Sequence, residues 1–120
     1  MTDERDPNGE APKESPADAM DRLAAGLDGV QRRQVGKAIE YAMAGVVFAA
    51  RDADLLSFRL RVEVVSAALG TADTAPSTRG ADWISLAPAT ADQFTVDRAA
   101  AWFESAWRLA GPGPEHAQPH

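Results

Sequence analysis

Arg59 and Arg61 stand two apart in the alternating run Phe58-Arg59-Leu60-Arg61-Val62, and Arg79-Gly80 closes a stretch rich in Thr, Ser, Pro and Gly. Residues two apart on a strand share a face. If the fold brings Arg79 beside that face, three guanidiniums would make an anion or phosphate site, since their planar forks match such groups bidentately. The competing expectation is that the strand arginines keep a sheet edge soluble and pair with Glu63 or a neighbouring acid. A second basic patch, Arg32, Arg33 and Lys37 flanked by Gln31 and Gln34, has the composition of a phosphate-tracking surface. It equally fits the solvated side of a helix, and it has no interleaved aromatics for single-strand stacking. Trp102 and Trp107 lie on opposite flanks of one apolar helical arc. Such residues serve either as core or as interface anchors, and core is the commoner outcome in a small domain.

Catalytic chemistry has little to work with. The chain has no cysteine, which excludes disulfides, thiolate metal sites and cysteine nucleophiles together. Its two histidines, His116 and His120, lie in a Pro-rich tail, so no imidazole is expected inside the fold. The close carboxylate pairs, Asp52 with Asp54 and Asp92 with Asp97, fall at a turn and a helix start, where acids have structural work. Gly36-Lys37 lacks the earlier glycine and following hydroxyl of a phosphate loop. No catalytic residue, cofactor or metal is expected. Thr71, Thr74, Ser77 and Thr78 are ordinary loop hydroxyls that a kinase would have to reach in an exposed segment.

The elements that position these residues follow from periodicity. A length of 120 residues allows one modest core. Residues 1–14 and 112–120 read as disordered tails around a single domain at 15–111. Formal charge is −6, but residues 1–14 hold five acids against Arg5 and Lys13, and Glu115 adds another. Four of the six net charges are therefore in the tails, and the domain itself is close to neutral, a mild argument against an anionic partner. No apolar run reaches the roughly 18 residues of a membrane span, and the first residues lack a signal-peptide core, so a soluble cytoplasmic protein is expected.

Ser15-Pro16-Ala17-Asp18 is a helix start, and Met20, Leu23, Leu27 and Val30 extend it on one face. Val35, Ala38, Ile39, Ala42 and Met43 fit a second helical face ending at Gly45, either separate from the first helix or continuous with it across Gly29. The period then changes. Val46 to Ala49, a turn at 51–54, and the alternation through Phe58, Leu60 and Val62 predict an antiparallel hairpin, with a short helix from Glu63 to Leu69. Residues 71–80 read as a loop, and Trp83 to Leu86 as a strand. The last helix is expected to be capped by Thr90 with Gln93 in the capping-box position, and to end at Gly111-Pro112. The fold class is thus α+β, with N- and C-terminal helices packed on a small antiparallel sheet.

This order, with Met43-Ala44-Gly45-Val46-Val47-Phe48, Leu55 to Arg61, Trp83-Ile84-Ser85-Leu86 and Ala101-Trp102-Phe103 through Ala110, resembles the small α+β domains of the YjbR/MmcQ (double-wing) and TfoX N-terminal families. The resemblance spans about residues 17–110, with Ala44 where the family turn often carries Phe. It implies a non-enzymatic regulatory module that contacts DNA or a DNA-bound protein, with Arg32, Arg33, Lys37, Arg59 and Arg61 as the first places to look. The alternative is a protein–protein interaction module, a dimer or adaptor, with no nucleic-acid role.

Overall fold

A computed structural model describes residues 14–88 and 92–111. The expected tails, and Thr90 as a cap, lie outside the described residues. Helix α1, Pro16–Gly26, begins as the sequence requires, with Ser15 Oγ accepting from the Asp18 N–H at 3.0 Å and Pro16 in the first turn. Four strands follow, β1 (Val30–Val35), β2 (Ala38–Met43), β3 (Val46–Asp52) and β4 (Leu55–Arg59). Helix α2 (Val62–Ala68), strands β5 (Thr74–Pro76) and β6 (Trp83–Leu86), and helix α3 (Gln93–Ala110) complete the domain. The sheet is antiparallel at every pairing, in the order β1-β2-β3-β4-β6-β5.

The second helix expected at 30–45 is instead the β1–β2 hairpin. Ile39, Tyr41 and Met43 alternate with Glu40 and Ala42, and this period of two prevails over an equally good helical spacing because each inward residue finds a cross-strand neighbour. Gly36, at φ +63°, takes the first place of the two-residue turn between Val35 and Ala38, where a type II′ hairpin wants glycine. Ala44 and Gly45 make the next turn, both at positive φ, as in type I′. The expected hairpin of β3 and β4 is present, but the strand stops at Arg59. Leu60 donates its N–H to the Asp82 carbonyl, and Arg61 becomes the N-cap position of α2, which leaves Val62 exposed rather than in strand alternation. Within the expected loop at 71–80, Thr74–Pro76 forms a short edge strand on β6. Asp92, not Thr90, is the N-cap residue of α3. Its Oδ1 accepts from the Thr95 N–H and hydroxyl, both at 2.8 Å, while Gln93 bonds forward to Asp97 rather than back as a capping box.

Helices α1 and α3 pack on each other and α3 lies across β3 and β4. Phe103 is the centre of the core, with Tyr41 and Phe48 edge-on to it at centroid distances of 5.1 and 5.2 Å. A bulge opposite Tyr41 and Ala42 leaves Phe48 without a register partner and turns its ring onto the helix layer. Val65 and Ala68 of α2 join the same cluster, so the helices share one side of the sheet.

Candidate functional site

The face away from the helices carries three of the arginines singled out in the sequence. Paired residues of neighbouring strands share a face, so Arg33, Glu40, Ala50, Ser57, Ser85 and Ala75 form one row across this open side. Arg59 and Trp83, themselves a cross-strand pair two residues further along β4 and β6, stand beside that row.

Arg79 crosses the row from the loop between β5 and β6. Its guanidinium carbon is 5.3 Å from the centre of the Trp83 ring, and both of its terminal nitrogens donate to Glu40 Oε2 at 3.3 Å. Trp83 belongs to β6 and Glu40 to β2, with β3 and β4 between them. The guanidinium therefore lies over the small residues Ala50 and Ser57, which accounts for the near-complete burial of Ala50, Ser57 and Ser85 on a face that carries no helix. Glu40 also receives Arg33, at 3.5 Å to Oε1, and Arg59 donates to Asp82 Oδ2 at 2.9 Å. The loop is anchored at its far end by Asp82 and by Trp83 N–H to the Gly80 carbonyl. A β-carbon on Gly80 would stand 3.2 Å from Trp83 Cδ1, so glycine lets the loop lie flat against the indole.

The residues singled out in the sequence thus divide. Arg33, Arg59 and Arg79 come together on the open face. Arg32 turns to the helix side and donates to Asp21 Oδ1 at 2.9 Å. Lys37 is at the tip of the β1–β2 turn, and Arg61 begins α2 rather than sharing a strand face with Arg59. Trp102 packs edge-on against Phe58, and Trp107 donates its indole N–H to the Asp28 carbonyl at 3.0 Å. Both are thereby engaged within the domain. Thr71 and Thr74 donate their hydroxyls to the Ala68 carbonyl at the end of α2, and Ser77 Oγ accepts from the Arg79 N–H.

Two clusters were not visible in the sequence. Asp21 of α1 accepts from the Tyr41 hydroxyl at 2.6 Å, from Arg32, and from Arg51 at 3.0 Å, while Arg51 Nε donates to the same Tyr41 oxygen. Burial alone would raise the Asp21 pKa, but the hydrogen bonds from Tyr41 and Arg32 and the charge of Arg51 outweigh it and hold the carboxyl below its usual range. Burial, with the bond to Asp21, pushes the Tyr41 phenol up. At the N-cap of α3, the backbone and hydroxyl bonds from Thr95 keep Asp92 below the usual carboxylate range. The second cluster is Arg98, stacked between Phe94 and Trp102 at 5.2 and 5.4 Å and bonded to the Ala72 carbonyl at 3.0 Å. It bolts the segment after α2 to α3.

Among the described residues no group of three metal-ligating side chains occurs, and no helix is long and apolar enough to cross a membrane. Fold and face together define an α+β domain with one helix-covered and one open sheet surface. No protein-family model, curated protein or solved structure matches the chain.

Proposed function

We propose that this chain is a non-enzymatic binding module that recognises a protein partner through the open face of its sheet, in the cytoplasm. The observation that carries the reading is the convergence of Arg33, Arg59 and Arg79 on the one sheet surface the helices leave uncovered, with the Trp83 indole buried beneath Arg79. Each of these guanidiniums already has a carboxylate on the same face, Glu40 for two of them and Asp82 for the third. Little surplus positive charge is left for phosphates, whereas paired arginines beside an indole suit a protein surface.

A second reading, that the module contacts DNA or a DNA-bound protein, is favoured by the double-wing and TfoX-like order of motifs and by Lys37 and Arg61, which make no ion pair among the described residues. Anisotropy of labelled duplex DNA at about 50 and 200 mM salt separates the two, because log affinity falls by about 0.9 per phosphate neutralised for each tenfold rise in salt. With three arginines against two carboxylates on the open face, affinity through that face should drop only about three- to fourfold over that range. A loss of about a thousandfold or more, sensitive to Arg33→Ala and Arg59→Ala, would establish the DNA reading instead. For the protein reading, a photo-crosslinking residue at Ala75 on the open face should capture a partner that the same residue at exposed Ala101 on α3 does not. Capture through Ala101 alone would reject the open face.

A further inference from the structure

We propose that the trough between Glu40 and Trp83 is a guanidinium-binding site, that Arg79 fills it in cis, and that the protein partner presents an arginine side chain which takes the place of Arg79. The inference rests on the reading of the open face given above. The groups around Arg79 are those a guanidinium requires: an indole to stack on, a carboxylate to accept its N–H donors, and a floor of small residues that leaves room for a flat cation. The Ser57 and Ser85 hydroxyls, a cross-strand pair on that floor, make no hydrogen bond among the described residues and are available as further acceptors.

The exchangeable member of the pair is the arginine. Glu40 is fixed on β2, an inner strand of the sheet, and its side chain is only 15% exposed, whereas Arg79 hangs on a loop. Both contacts of the Arg79 guanidinium with Glu40 are long, at 3.3 Å to one oxygen, and the other oxygen is engaged by Arg33 at 3.5 Å. A tight two-bond fork would be shorter and would use both carboxylate oxygens. An incoming guanidinium exchanges like for like, whereas an incoming phosphate would be set against the fixed Glu40. The chain's net charge of −6, four of it in the tails, adds a weaker pull in the same direction, favouring a basic segment over an acidic one.

The test uses the full chain, with N-acetyl-arginine amide as probe and the Trp83 indole and the Ser57 and Ser85 amides as NMR reporters. In Arg79→Ala the probe should shift these three signals with a dissociation constant of about 10–100 mM, as one ion pair with one stacking contact allows. In the wild-type protein, where Arg79 competes, binding should be about tenfold weaker, as expected when the site is open for about a tenth of the time. Adding Glu40→Gln to the Arg79→Ala variant should abolish the shifts, and N-acetyl-lysine amide should bind more weakly than the arginine probe. Arg79→Gln serves as a second background should the alanine variant lose its native spectrum. Absence of shifts at Trp83 in both backgrounds, equal binding to wild type, or indifference to Glu40→Gln would overturn the proposal. A trough that binds the probe while crosslinks map only to α3 would reject the open-face reading alone. Crosslinks at Ala75 with an inert trough would reject the guanidinium site alone.

Discussion

Asp21, Tyr41 and Arg51 show how much a few polar groups can hold. They join α1 to β2 and β3 through hydrogen bonds of 2.6 to 3.0 Å, and Tyr41 is fully buried. Tyr41→Phe should cost about 1.5–3 kcal/mol by chemical denaturation, because the lost hydroxyl bonds charged partners. Asp21→Asn should cost less, about 1 kcal/mol, since that carboxylate is a third exposed and solvent screens its ion pairs. The pH dependence has a definite sign. The folded-state pKa of Asp21 is lowered, so its contribution is present above the ordinary value of about 3.9 and is lost as pH falls through the lower folded value. The phenol of Tyr41 is raised, so its contribution is intact below about 10 and is lost as pH rises through the folded value. Denaturation midpoints measured across pH should therefore show a flatter acid limb in Asp21→Asn and a flatter alkaline limb in Tyr41→Phe than in wild type.

At the scale of elements, stability depends on α3 lying against the twisted sheet. Phe103→Ala removes the ring on which Tyr41 and Phe48 converge and should cost about 3–5 kcal/mol in urea unfolding. The turn after α1 is a tighter constraint than its sequence suggests. Gly29 has φ +78°, and a β-carbon there would stand 2.7 Å from Met43 Sδ. Gly29→Ala should therefore lower the unfolding midpoint by the equivalent of about 1 kcal/mol or more, chiefly through backbone strain, since Met43 is flexible enough to give way. The same change at Gly26, which has open space around it, should be neutral or slightly stabilising.

Over the whole molecule, the sheet has two edges of different character. Strand β5 has only three residues and ends in Pro76, a short edge that offers little to pair with. Strand β1 has six residues, almost all exposed, and contains neither proline nor a bulge. Its protection is electrostatic. An antiparallel second copy must pair residues of like face, so the central two-fold registers set Arg32 against Arg32 or Arg33 against Arg33. Replacing both, Arg32→Thr with Arg33→Thr, should increase self-association in sedimentation velocity, with little change in urea stability because both arginine side chains are about half exposed and each carboxylate keeps a second arginine partner. An unchanged monomer fraction would show that another feature guards the edge.

Much of the fold was legible because its signals are local. The serine cap and proline of α1 and the alternation of the β3–β4 hairpin each report a contact made within a few residues. Residues 30–43 were not legible in this way. Val35, Ala38, Ile39, Ala42 and Met43 satisfy a helical period while Ile39, Tyr41 and Met43 satisfy a strand period, and the cross-strand pairing that decides between them joins β2 to β3 as well as to β1. The candidate site divides along the same line. Arg59 and Arg79 announce themselves as charged residues of suitable type, and the Trp83 strand is evident. That Ala50, Ser57 and Ser85 form a floor, and that Glu40 from one strand and Trp83 from another hold the same guanidinium, follows only from strand order. Sequence alone determined the α+β class and, by composition, that the chain has no cysteine. The tertiary structure decided which arginines share a surface, because a sheet's faces and neighbours are set by pairing between segments distant in the chain.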